Sequence, residues 1–100
     1  MKNKVFFLLP FFIVSNLLSE VIYRVPIQGT IDLGLPPFIK RVLMEAETNK
    51  ASAVIFDINT FGGRVDAATQ IKDAILGSDV TTIAFINRRA ISAGALIALS

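Results

Sequence analysis

The sequence predicts an α/β fold with a mostly parallel sheet, in the order β-α-β-α-β-α. Three observations predict it. Short runs rich in β-branched and aromatic residues recur at Ser19–Ile27, Ala53–Asn59 and Val80–Ile86, each of strand length. Between them lie two stretches whose apolar residues repeat at helical spacing. Glycine-containing loops separate each strand from the helix that follows. Strands alternating with helices form a parallel sheet joined by right-handed crossovers.

The N-terminal segment reads as a targeting signal. Lys2 and Lys4 precede the apolar stretch Val5–Val14, and the polar residues Ser15, Asn16, Ser19 and Glu20 follow. That order is the secretory pattern, and the apolar run is short for a membrane span of about 20 residues. The expected organisation is residues 1–19 as a signal peptide or N-terminal anchor and residues 20–100 as the domain. Without Lys2 and Lys4 the domain carries eight basic and eight acidic residues. A neutral domain without a basic cluster has no electrostatic footprint for nucleic acid.

The domain then begins with a strand, Ser19–Ile27. Gln28–Gly34 reads as a loop. Pro36 and Pro37 suit the first turn of a helix, where a missing amide donor costs nothing. Phe38, Val42 and Ala46, flanked by Ile39 and Leu43, carry that helix to about Asn49, a residue that tolerates a left-handed cap. Ala53–Asn59 is nearly continuously apolar, as in a strand buried on both faces. Thr60–Gly63 reads as a tight glycine turn. Val65, Ala68, Ile71 and Ile75 mark a second helix ending near Gly77, and Val80–Ile86 is the third strand. Asn87–Ala90 reads as a loop, and Ser92–Ser100 as a buried helix of small residues.

In open α/β sheets the functional site lies at the carboxyl ends of the strands. Three segments meet there. Gly62 and Gly63 let backbone amides approach a ligand, as an oxyanion hole requires, and equally suit a plain turn. They lack the G-x-G-x-x-G spacing of a dinucleotide site. Ser92, in Ile91-Ser92-Ala93-Gly94-Ala95, is placed either as a nucleophile or as a helix N-cap. Arg88 and Arg89 flank it, available to substrate or to solvent. Asp57, inside an apolar strand, needs a partner, for which Arg64 is a candidate. The chain has no histidine and no cysteine. A Ser-His-Asp triad, a cysteine nucleophile, a Cys/His zinc site and a disulfide are therefore excluded within it. A nucleophilic serine here needs a lysine as its base. No metal or cofactor is expected.

The blocks PIQGTIDLGLPPFIKRVLMEAE, AVIFDINTFGGRVDAATQIKDAI and TTIAFINRRAISAGALIALS, in that order, resemble the protease domain of NfeD-type membrane-bound serine proteases. These are ClpP-class peptidases related to signal peptide peptidase A. The resemblance covers about residues 21–100. It implies a ClpP/crotonase-like fold, of which this chain holds the N-terminal part. It implies Ser92 as the nucleophile of a Ser-Lys dyad, with Gly62, Gly63 and Ala93 in the oxyanion and substrate-binding role. It implies apolar peptide segments as substrate, a stomatin-like membrane protein as partner, a homodimer in the full-length protein and an exported, membrane-associated location. Two departures stand out. Phe61 replaces the family's usual proline before the glycine pair. The family's lysine lies well downstream of the serine, and Lys40, Lys50 and Lys72 match no family position. The expectation is therefore a fragment of a longer protease. The alternatives are a non-catalytic crotonase-like binding or scaffold domain, a decayed gene product, and an acyl-CoA enzyme of the crotonase superfamily.

Overall fold

A computed structural model describes residues 20–100. The expected signal segment, residues 1–19, lies outside the described residues. The elements run β1 (Ile22–Ile31), α1 (Leu35–Thr48), β2 (Ala53–Gly63), α2 (Val65–Leu76), β3 (Thr82–Ala90) and α3 (Ala93–Ala98). The three strands form one parallel sheet in the order β1-β2-β3. The predicted fold class and element order are those observed.

Apolar spacing explains the layers. Ile39, Leu43 and Ala46 of α1 and Ala67, Ala68, Ile71 and Ile75 of α2 are buried. The two helices pack on one another and close over Val25, Ile27, Val54, Phe56 and Ile58 of the sheet. Ala93 and Ile97 of α3 complete this core. β2, the central strand, is buried along nearly its whole length, as its continuous apolar run requires. β3 lies at the edge, with Ile83, Phe85 and Ile86 about half exposed.

The strands are longer than the sequence predicts, and the extra length builds the site. Each predicted loop at Gln28–Gly34, Thr60–Gly63 and Asn87–Ala90 is largely strand. After a register shift between Gln28 and Thr30, β1 continues with Thr30 opposite Gly62 and Ile31 opposite Gly63. Gly29, at φ +74°, absorbs that bulge. A second shift, between Ile58 and Thr60, sets Thr60 opposite Ala90. Gly63 is not a turn former. A Cβ there would fall 2.2 Å from the Ile31 carbonyl oxygen, so only glycine lets the two strands pair this closely.

Helix ends also differ in detail. Asn49 caps α1 at φ −87° rather than left-handed, and Lys50 takes the positive φ of 53°. Asn49 Nδ2 instead donates to the Tyr23 hydroxyl at 2.7 Å. Phe38, read as part of the apolar stripe, is 38% exposed.

Candidate active site

The carboxyl ends of all three strands converge, and Thr60 ties them together. Its side chain is buried. The hydroxyl donates to the Gly29 carbonyl at 2.5 Å and accepts the Gly62 N–H at 3.0 Å. Its carbonyl accepts the Ile91 N–H at 3.1 Å. α3 leans on the same residue, because a Cβ on Gly94 would lie 2.5 Å from Thr60 Cγ2. Sequence reasoning missed Thr60. A lone threonine in an apolar run carries no signal for such a junction.

Ser92 stands where β3 turns into α3. Its backbone adopts φ 55°, ψ −119°, a sparsely populated region for a residue with a side chain, costing on the order of 1–3 kcal/mol. It occupies the N-cap position, yet its side chain makes no capping hydrogen bond. Of the two readings the sequence left open, the capping one is not realised. The residue is exposed, and the amide after it, on Ala93, opens the helix and has no intrahelical acceptor. The strand-to-helix turn is sharp and presents Ser92 with unusual backbone angles.

Gly62 lies directly beside this turn. A Cβ on Gly62 would sit 2.9 Å from both the Ile91 carbonyl oxygen and Ser92 Cβ, and 3.3 Å from the Ala93 nitrogen. Gly62, Ser92 and Ala93 are thus brought together. Gly63 follows in the strand. The Arg64 N–H donates to the Ile31 carbonyl at 2.9 Å, and amides alternate along an extended strand, so the Gly63 N–H faces away from β1. The Gly62 N–H is occupied by Thr60.

The charged residues are arranged differently from expectation. Asp57, 1% exposed, pairs with Arg24 of β1 and not with Arg64, and its Oδ1 has no partner. Arg64 instead grips Asp66 through two hydrogen bonds of 3.0 and 2.8 Å. That contact holds the Asp66 carboxyl below its ordinary value and raises Arg64. Arg89 lies over the Phe61 ring, 4.4 Å from its centroid. A small cavity of about 250 Å³ opens between this pair, Asn59, Thr30 and Gly62. Lys50 sits beside the amino ends of the strands, where Ser52 N–H meets the Val21 carbonyl, at the opposite edge from Ser92. Lys40 faces a cavity with Asp73 and Ser78, and Lys72 lies within α2.

The family model for the NfeD1b N-terminal domain matches residues 21–100. The chain belongs to the NfeD family. The membrane protein NfeD1b of Bacillus subtilis (strain 168) is 40% identical to this NfeD-family chain over 81 residues, which are 81% of the chain and 18% of that protein. Solved structures give the same fold. The 1510-N membrane protease from Pyrococcus horikoshii, specific for a stomatin homolog, superposes with a TM-score of 0.73 at 32% identity over 81% of this chain and 42% of its own. A lysine-to-alanine mutant of the 1510-N stomatin-specific protease, in complex with a substrate peptide, gives 0.72 at 31% over 80% and 38%. A serine-to-alanine mutant of 1510-N has also been solved. ClpP1 from Listeria monocytogenes gives 0.70 at 28% over 74% and 44%. The NfeD-family chain therefore spans under half of each of these proteins. Among the described residues no helix is long and apolar enough to cross a membrane.

Proposed function

We propose that residues 20–100 are the N-terminal part of an exported, membrane-associated serine endopeptidase that cleaves apolar peptide segments, including those of a stomatin-like partner. Ser92 is its nucleophile. The observation that carries the reading is the Ser92 turn: a non-glycine residue at φ 55°, uncapped and exposed, pressed against Gly62. Backbone strain of this kind persists where the surroundings impose it, and it clusters at reacting groups.

The chemistry follows from this placement. The Ser92 hydroxyl attacks a peptide carbonyl while its proton passes to a lysine base supplied from outside residues 1–100. The negative oxygen of the tetrahedral intermediate accepts the N–H groups of Ala93 and Gly63. Gly62, with no side chain, leaves Ser92 room to stand. The intermediate collapses, the amine leaves with the proton, and water then hydrolyses the acyl-enzyme. Two things support a lysine from further along: the three lysines of the domain stand on α1, beside its end and on α2, and a lysine mutant of the 1510-N protease was solved with a substrate peptide. The sequence pattern of residues 1–19 supports export, and the membrane proteins among the relatives support membrane association. Dimerisation in the complete protein belongs to the same reading.

The test is cleavage of apolar peptides by the complete gene product. Ser92→Ala is expected to abolish it, and Ser92→Cys to retain a residue of it. Cleavage unchanged in Ser92→Ala removes Ser92 from the mechanism.

A further inference from the structure

We propose that Arg89 and Phe61 form a subsite beside Ser92 that takes a carboxylate of the peptide substrate, an inference that rests on the peptidase reading above. Arg89 is half-buried near the end of β3, and its guanidinium lies 4.4 Å from the centre of the Phe61 ring. A guanidinium held over a ring face keeps N–H groups free to bond elsewhere. Among the described residues the ion pairs are Arg24–Asp57 and Arg64–Asp66, and Arg89 takes part in neither. A fixed cation without an anionic partner lines a polar cavity with Asn59 and Thr30.

The cavity matches one side chain. Its volume of about 250 Å³ is below the usual range for a small-molecule pocket. Gly62 belongs to its wall and also touches the Ser92 turn, so the cavity adjoins that turn. The planar fork of a guanidinium meets a carboxylate with two parallel bonds. The exposed Phe61 ring offers an apolar wall to the methylenes of a glutamate. The carboxylate has two possible sources, an internal acidic side chain or the C-terminus of the peptide.

Binding of fluorescent peptides to the Ser92→Ala gene product tests this, read by anisotropy. The probes are an amidated apolar peptide in which a single glutamate is moved through the positions, its glutamine counterparts, and the glutamine peptide with a free C-terminal carboxylate. At one position glutamate, or else the free C-terminus, is expected to bind about tenfold tighter than its neutral counterpart, as a charged hydrogen-bonded pair allows. Arg89→Gln brings that ratio to about one, whereas Arg88→Gln leaves it. Phe61→Pro reduces it. Whichever carboxylate carries the ratio identifies the source. A ratio that survives Arg89→Gln, the lack of any carboxylate preference, or the lack of any peptide binding overturns the proposal. Cleavage by the wild-type protein is measured in parallel. Loss of the ratio in Arg89→Gln supports the subsite even where cleavage does not depend on Ser92, so the two readings fail separately.

Discussion

Substituting Gly62 by alanine probes the packing that holds the Ser92 turn, with Gly29→Ala as its internal control. Both glycines have positive φ, +74° at Gly29 and +115° at Gly62. A side chain on Gly29 would meet nothing within 4 Å, so Gly29→Ala bears only the conformational cost, about 1–2 kcal/mol. Gly62→Ala bears a cost of about 1–3 kcal/mol for its backbone. In addition its methyl group would lie 2.9 Å from the Ile91 carbonyl oxygen and from Ser92 Cβ. Neither neighbour is the far end of a flexible side chain, so the turn itself must shift, at roughly 1–3 kcal/mol for overpacking. The expected total is about 2–6 kcal/mol. Thermal unfolding of the purified protein reads the difference, at about 4–8 °C per kcal/mol for a domain of this size. Gly62→Ala is expected to melt at least about 5 °C below Gly29→Ala and to lose peptidase activity, while Gly29→Ala keeps it. Equal melting temperatures, or an active Gly62→Ala protein, would refute the claim that Gly62 is the glycine that seats Ser92.

Other perturbations follow from the same geometry. Thr60→Val keeps the shape and removes the hydroxyl, leaving the Gly62 N–H and the Gly29 carbonyl without their partner; a loss of about 1–3 kcal/mol is expected in denaturant titration, and Thr60→Ser restores most of it. Arg24→Ala leaves the buried Asp57 side chain without its partner and is expected to cost about 1–3 kcal/mol, whereas the double variant with Asp57→Asn recovers most of the loss; equal stability of the single and double variants contradicts the pairing. Glu47 Oε2 accepts the Asp79 N–H at 2.7 Å and the Ser78 hydroxyl at 2.8 Å, and these bonds hold its carboxyl below the ordinary value of 4.5. A lowered pKa means that the contribution is complete above the unfolded value and is lost as pH falls through the folded one. The melting temperature of Glu47→Gln is therefore expected to fall less than that of wild type on acidification below about pH 5, and NMR titration of Glu47 checks the direction directly.

The fold was legible because its signals are periodic. Ile39, Leu43 and Ala46, or Val65, Ala68, Ile71 and Ile75, place a helix face without reference to any other part of the chain. Strand ends were not legible. Thr60–Gly63 has the composition of a turn, and only pairing with Thr30 and Ile31 of a distant segment keeps it extended. Gly62 and Gly63 end a strand rather than form the turn that their composition suggests: Gly63 permits a close strand pair, and Gly62 packs against the Ser92 turn. The partner of Asp57 depended on register, since Arg24 lies on the neighbouring strand whereas Arg64 is turned to Asp66 by the first turn of α2. Thr60 had no sequence signal at all. Its role arises from three strand ends meeting, which no local pattern encodes.

The central claim is that Ser92 is a nucleophile. Reaction of the complete gene product with an acylating β-lactone, followed by peptide mapping in a mass spectrometer, tests it most directly. The account predicts a covalent acyl adduct on the peptide that contains Ser92, absent from Ser92→Ala. An unmodified Ser92 in a protein that still cleaves peptides, or an adduct on another serine, would contradict it.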